Sequence, residues 1–430
     1  MRRALLAAEA LVAAAALSRA DGGAPPAATP AATAPVSIGC VTCHLALDDA
    51  RVSPPARLFS EDVHARANLT CASCHGGDPR TEDMDAAHDA KRGFRGKPAP
   101  RDVPSICGGC HGDPAFMKRF DPSLRVDQLS EYRTSGHGKA LARGDESVAT
   151  CASCHGAHGI LRVKDSRSPV FPARIAQTCN RCHGDAALMS AHELPSDVYA
   201  RYAKSVHFEA MTKKGDLSSP TCNSCHGNHG AAPPQVASVA HVCGTCHAVF
   251  AEQFAASPHG KAFEDLGLPG CVTCHENHEI VHPTDAFLAT GPDGKCGTCH
   301  DKDSEGARAA AAMYQDITTL KNATDEAKAA LRREAEAGML VTRAQFDLSR
   351  ADEALTRARA DVHRFHPYAV QQTVAGGLTI ARTAKAEAVR LGKERAFRRQ
   401  GLLVSLGLIG VSIAALLVRI RDLDGRRRRP

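Results

Sequence analysis

The chain has 430 residues, enough for two or three domains, but aromatic residues make up only 4% of it and it contains no Trp. The formal net charge is +6, and the basic residues are spread along the chain rather than gathered in one stripe, which argues against nucleic-acid binding. With so few large apolar side chains, something other than side chains is expected to fill the core.

The N-terminal residues 1–20 have the pattern of a secretory signal peptide. Two arginines precede an apolar stretch at residues 4–17, and small residues stand where cleavage is expected. A membrane anchor is the competing interpretation of this stretch. Residues 21–37, rich in Ala, Pro, Thr and Gly, predict a disordered linker. The mature protein is therefore expected to lie outside the cytoplasm.

Nine Cys-x-x-Cys-His motifs follow, and together they use all eighteen cysteines. This spacing is the signature of c-type haem attachment, in which both cysteines bond the porphyrin and the adjoining histidine ligates the iron. The motifs therefore predict nine covalently bound haem c groups. The cysteines are Cys40, Cys43, Cys71, Cys74, Cys107, Cys110, Cys151, Cys154, Cys179, Cys182, Cys222, Cys225, Cys243, Cys246, Cys271, Cys274, Cys296 and Cys299. The motif histidines are His44, His75, His111, His155, His183, His226, His247, His275 and His300.

Paired cysteines have two other common uses. Cys-x-x-Cys pairs can build zinc ribbons, and an even number of cysteines in a secreted protein can form a disulfide framework. Neither explains why a histidine follows every second cysteine directly. Haem attachment accounts for all three positions of the motif.

An internal repeat organises the histidines outside the motifs. Each repeat has an upstream histidine, a first motif, a following histidine three residues beyond that motif, and a second motif. Repeats 2, 3 and 4 have first motifs at Cys151, Cys222 and Cys271, with second motifs 28, 21 and 25 residues later. Repeat 1, which begins at His64, is degenerate because its following histidine is more distant. The motif at Cys40 precedes the four repeats and adds a ninth haem.

This arrangement over residues 38–303 resembles the multihaem cytochromes with doubled motifs, a group related to tetrahaem and cytochrome c3-like carriers. The resemblance implies that the upstream and following histidines are distal iron ligands, often to a haem other than the nearest one. The implied ligands are His64, His88, His137, His158, His207, His229, His259 and His278. The ninth haem has five candidates among which the sequence does not choose, namely His192, His241, His282, His363 and His366.

The composition changes after residue 303, where Ala, Arg, Glu, Leu and Lys predominate and no cysteine occurs. Apolar residues recur at alternating spacings of three and four, which predicts amphipathic helices in a coiled or hairpin arrangement over residues 304–400. Breaks are expected at Gly338 and Pro367. A helical stalk is the favoured interpretation. The alternative is a bundle that docks on the haems or on a partner, with His363 as a ligand.

Residues 401–418 form an uncharged apolar run long enough to span a bilayer, flanked by arginines on both sides. The basic tail at 419–430 predicts a cytoplasmic C-terminus under the positive-inside rule. With a cleaved signal peptide, the haem domain would lie on the periplasmic side of a bacterial inner membrane, with the N-terminus outside. The expected fold is mainly α with much irregular loop: a haem-packed cytochrome domain, a helical segment and one transmembrane helix.

Two functions fit this organisation. In the favoured one, the protein is an electron carrier with bis-histidine haems that exchanges electrons with redox proteins of the periplasm or membrane. In the other, it is a reductase of the nitrite, hydroxylamine or tetrathionate class with one open haem. No motif ends in Lys, and the spare histidines outnumber the distal positions, so the carrier is preferred. Electron entry from quinol or a quinol-oxidising complex is a further expectation, drawn from the anchor alone.

Overall fold

A computed structural model describes residues 39–234, 239–291 and 294–427, and the part of the chain that it describes contains helices and loops but no β-strand. The predicted signal peptide and the whole of the predicted linker lie outside these residues. The chain divides into two compact units, with the boundary between Pro98 and Ala99. The mainly helical fold expected from the sequence is confirmed.

The first unit contains five short helices and one 3-10 turn among its described residues. The helices are α1 (Gly39–Ala46), α2 (Ser53–Phe59), α3 (Val63–Arg66), α4 (Cys71–His75) and α5 (Met84–Ala87), and the 3-10 turn is Ala90–Arg92.

The second unit begins with short helices that carry the remaining motifs. They are α6 (Val103–His111), α7 (Pro114–Met117), α8 (Gln128–Thr134), α9 (Gly136–Ala142), α10 (Cys151–His155), α11 (Pro172–His183), α12 (Ala186–Ala191), α13 (Val198–Tyr202), α14 (Val206–Lys213), α15 (Cys222–His226), α16 (Val239–Gly244), α17 (Ala248–Ala255), α18 (Pro258–Leu266) and α19 (Cys271–His275). The 3-10 turns are Pro100–Asp102, Asp285–Leu288, Cys296–Thr298 and Val362–Arg364.

Three long helices complete the second unit: α20 (Glu305–Glu336), α21 (Thr342–Asp361) and α22 (Pro367–Arg427). They pack as an antiparallel bundle, and the apolar positions predicted from the spacing form its buried interior. These buried residues are Met313, Ile317, Leu320, Thr324, Ala327, Leu331, Leu348, Ala351, Leu355, Ala358, Val370, Val374, Gly377, Ala381, Ala384, Ala388 and Leu391.

Both predicted breaks in the bundle are confirmed. Helix α20 ends in a Schellman motif, in which the N–H of Met339 donates to the carbonyl of Glu334 at 2.9 Å. Gly338 has φ +80°, a left-handed conformation that favours glycine. At the other break Pro367 is the first residue of α22, where its missing N–H costs no hydrogen bond.

Helix α22 continues without interruption from the bundle into the apolar run. The leucine and valine side chains of residues 402–418 are all more than half exposed, and nothing in the described chain covers them. This helix is long and apolar enough to cross a membrane, and no other helix among the described residues meets both conditions.

The packing of the bundle predicts that replacing a buried and an exposed apolar residue will change the free energy of unfolding by different amounts. Ile317 is completely buried and Leu340 is 85% exposed in the turn after α20. Ile317→Ala should lower the free energy of unfolding of the bundle by about 2–5 kcal/mol because it leaves a cavity. Leu340→Ala should leave it within about 0.5 kcal/mol. Thermal unfolding of the full chain in detergent, followed by circular dichroism, measures both. Equal effects would contradict the packing described here.

Candidate haem-binding sites

The first motifs of repeats 1 to 3 share one local structure. Each is a single helical turn preceded by Thr, and the motif has Ser as its third residue, as in Thr-Cys-Ala-Ser-Cys-His at residues 150–155. The backbone N–H of the Thr donates to the Ser hydroxyl at 3.0–3.1 Å, and the Thr side chain caps the turn in return. A five-residue helix is otherwise unstable, so the capping box holds the two cysteines and the histidine on one turn.

The residue directly after each of these turns has a positive φ. The residues that follow the motif histidine are Gly76, Gly156 and Gly227, with φ of +72°, +89° and +86°. Repeat 4 has Glu276 at this place with φ +63°, a left-handed conformation that is unusual for a residue other than glycine. The first motif of each of the four repeats is therefore followed by a residue in the same region of backbone conformation.

The upstream histidines occupy the second position of a helix in all four repeats. The residue two before each histidine is the helix N-cap, and its side chain accepts a hydrogen bond from a backbone N–H at 2.9–3.3 Å. All four caps are at least 94% buried, which fixes the start of each helix and thereby the direction of the histidine. The caps are Asp62, Ser135, Ser205 and Ser257.

Histidines that are distant in sequence face each other in pairs. Four pairs have nearly parallel rings, with ring centroids 6.0–6.2 Å apart and interplanar angles of 9–16°. The pairs are His44 with His88, His155 with His229, His226 with His278, and His275 with His363. In each, the first is a motif histidine and the second comes from further along the chain.

Three further pairs involve the second motifs. Their ring centroids lie 5.8–6.3 Å apart, and their planes are tilted by 37–72°. Here the upstream histidine of a repeat faces the second motif of the same repeat. The pairs are His137 with His183, His207 with His247, and His259 with His300.

The separation within these pairs fits a metal ion between the rings. An imidazole nitrogen binds a transition metal at about 2 Å, so two imidazoles on opposite sides of one ion have ring centroids about 6 Å apart. Each pair also includes a histidine that directly follows a Cys-x-x-Cys pair. The residues therefore fit haem iron with two axial histidines.

Nδ1 forms a hydrogen bond in two of the motif histidines and in two of the histidines that face a motif histidine. The Nδ1 atoms of His75, His88, His226 and His363 lie 2.7–3.2 Å from backbone carbonyl oxygens. A carbonyl only accepts, so Nδ1 donates its proton and the neutral ring keeps the Nε2 lone pair for a metal. These bonds also fix the orientation of each ring.

Burial is the main cause that lowers the pKa of the paired histidines in the second unit. It acts on both rings of the pairs His137 with His183 and His275 with His363. Neighbouring histidines lower the pKa of three of these rings further. The neutral imidazole is therefore favoured, which is the form that ligates metals.

Three further histidines that are expected to bind iron, and that are in none of the pairs above, occupy the positions expected from the repeat. His64 and His158 hold the upstream and following positions of repeats 1 and 2, and Nδ1 of His64 lies 2.9 Å from Asp62. His111 ends α6 and closes the second motif of repeat 1.

The five candidates for the ninth haem differ in their surroundings. His363 alone among them has a ring pairing with a motif histidine. His192 uses Nε2 toward the hydroxyl of Ser147 at 3.3 Å, and its Nδ1 lies 3.6 Å from Asp145. The remaining three, His241, His282 and His366, are exposed.

Two tyrosines support the repeats and were not singled out from the sequence. Tyr132 donates a hydrogen bond to the carbonyl of Ala149, and Tyr202 to that of Pro220, both at 2.9 Å. Each tyrosine lies three residues before the serine cap, and its acceptor lies two residues before the first cysteine of the motif. Burial raises the pKa of both phenols to about 12. The shared offset from the serine was the signal in the sequence that could have identified them.

Thiols of consecutive motifs lie within hydrogen-bonding reach of each other. In every case the first cysteine of one motif approaches the first cysteine of the next. These pairs are Cys40 with Cys71, Cys107 with Cys151, Cys179 with Cys222, and Cys243 with Cys271. The two motifs in each of these four pairs are therefore neighbours in space.

The cytochrome c3 family matches residues 63–184, a segment that carries four of the nine motifs. No curated protein and no solved structure matches the chain. The motifs, the paired histidines and this match define a multihaem c-type cytochrome, a class that transfers electrons through covalently bound haem c. Residues 63–184 are therefore similar to the cytochrome c3 family, in agreement with the resemblance seen in the motifs.

The serine caps predict a local effect on the sites. Ser205 is 2% exposed and caps the helix that carries His207, so Ser205→Ala should destabilise this helix by about 1 kcal/mol. Ser218 also makes a local hydrogen bond but is exposed, and Ser218→Ala is the matched control. Hydrogen exchange of residues 206–213 measures the difference. Unchanged protection in Ser205→Ala would contradict the role of the cap.

Proposed function

We propose that this protein is a membrane-anchored electron carrier that holds nine haems, each ligated by two histidines. The observation that carries the proposal is the set of seven histidine pairs with ring centroids 5.8–6.3 Å apart. An iron with two imidazole ligands has no open position for a substrate, so the chain's own residues hold the haems and set their potentials. The haem groups supply the one-electron chemistry.

The spacing of the motifs supports transfer along the chain. Because the first cysteines of consecutive motifs approach each other, the porphyrins bonded to them would also be neighbours. Between these pairs, Cys154 interacts with Cys179 and Cys225 with Cys246, so neighbouring motifs follow one another from Cys107 to Cys271. Electrons would pass between haems in the order of the sequence.

The length of α22 helps to decide whether the haems exchange electrons with redox proteins or with quinol. From Pro367 to Gly401, α22 rises by about 50 Å, and its first turn lies at the end of the bundle that contacts the haem-bearing region. The bundle is thus a stalk as well as a docked element. A haem at its far end is separated from the membrane surface, which favours exchange with redox proteins over direct contact with quinol.

We further propose that the haem-bearing region lies in the periplasm and the C-terminus in the cytoplasm. Arginines follow the apolar run of α22, and the tail is strongly basic, as the positive-inside rule requires of a cytoplasmic end. The signal-like N-terminal sequence supports the same orientation.

The number of haems is tested by intact mass. The mature chain should carry nine haems that persist in acid and organic solvent, because thioether bonds are covalent. A Cys→Ser change at both cysteines of one motif, for example Cys243 and Cys246, should reduce the mass by one haem. A wild-type mass with fewer than nine would mean that some motifs do not bind haem.

The anchor is tested by truncation after Gln400. The shortened protein should appear in the soluble periplasmic fraction with the haem absorption spectrum of the full chain, because the truncation removes the apolar run and the basic tail but no motif or bundle residue. The full-length chain, prepared in parallel, should remain with the membrane until detergent is added. Retention of the truncated chain on membranes would show that another surface holds it there.

A further inference from the structure

The turn between α21 and α22 places a histidine against the last repeat. His363 lies in the 3-10 turn Val362–Arg364, and its ring centroid is 6.1 Å from that of His275, with the planes only 12° apart. This geometry falls within the range of the three other parallel pairs. It differs from them because His363 belongs to the bundle rather than to a repeat.

In the order of the repeats, no later repeat supplies a histidine to face His275, and His363 takes that place. The following histidine of one repeat faces the first motif of the preceding repeat, as His229 faces His155 and His278 faces His226. Repeat 4 has no repeat after it, so His275 would receive no ring by this rule. The bundle supplies the ring in place of a fifth repeat.

The ring of His363 is held in a defined orientation. Its Nδ1 donates to the carbonyl of Ala360 at 3.1 Å, which leaves Nε2 for a metal. The edge of Phe250 contacts it at 4.9 Å between centroids. A ring that served only to fill space would not need both a directed hydrogen bond and a partner imidazole at ligand distance.

Other contacts hold the turn against the haem-bearing region. Arg359 and Asp285 form two parallel hydrogen bonds of 2.8 Å, an arrangement typical of a strong guanidinium–carboxylate pair. Phe365 stacks on the ring of His259 at 3.9 Å and has φ +51°, a conformation that costs energy for a bulky residue. The surrounding contacts stabilise this strained turn.

We propose that His363 is the distal iron ligand of the haem attached at Cys271 and Cys274, so that the iron itself joins the helical bundle to the haem-bearing region. This inference rests on the proposed bis-histidine function. The helix that continues into the apolar run begins four residues after this ligand. The short turn that carries His363 thereby connects the haem at Cys271 and Cys274 to α22, the helix that contains the apolar run.

The test compares four variants of the full-length protein in detergent by electron paramagnetic resonance of the oxidised state. His363→Ala should convert one haem to the high-spin form, and added imidazole should return it to low spin. His278→Ala is the positive control, because the proposed function predicts the same one-haem change there. His366→Ala, an exposed histidine three residues away, should change nothing.

A fourth variant covers the case in which His363→Ala does not accumulate. His363→Met should stay low-spin and raise the reduction potential of one haem, because a thioether replaces an imidazole. A low-spin spectrum and unchanged potentials at position 363, with the expected change in His278→Ala, would overturn this inference and leave the proposed function standing. No change in His278→Ala would instead overturn the proposed function.

Discussion

Two imidazole rings facing each other across about 6 Å are the arrangement on which the rest of this structure depends. A chain with 4% aromatic residues and no Trp has few large side chains to pack, and haems bound between these rings would supply the missing apolar surface. Binding energy and folding energy are then the same quantity, as in small metal domains. The short helices position the cysteine and histidine side chains at fixed angles.

The need to position these side chains explains why buried polar residues occur at the starts of the short helices. Buried serines and one aspartate cap the helices of the upstream histidines, and threonine–serine boxes cap the motif turns. Helices of four to nine residues could not persist without such caps. The two kinds of pair also differ: nearly parallel rings at the first motifs and tilted rings at the second. Ring orientation affects the electronic structure of ferric haem, so the two kinds of site are expected to differ in spectrum.

Much of this organisation could be predicted from the sequence because it is periodic. The motifs, the repeat and the apolar positions of the bundle follow from spacing, and the breaks at Gly338 and Pro367 follow from backbone chemistry. The pairing of histidines does not, since it joins residues up to 88 positions apart, as between His275 and His363. Nothing local distinguished His363 from His192 or His282. His88 departs from the repeat spacing, yet its ring faces His44 because α5 and the following 3-10 turn accommodate the extra residues.

The central claim is that the chain's histidines close both axial positions of every haem. Electron paramagnetic resonance of the fully oxidised wild-type protein, integrated against its iron content, tests it most directly. The account predicts that all iron is low-spin, with signals of two types: a rhombic type from parallel rings and a highly anisotropic type from strongly tilted rings. A high-spin ferric signal amounting to one haem or more would show an open iron and contradict it.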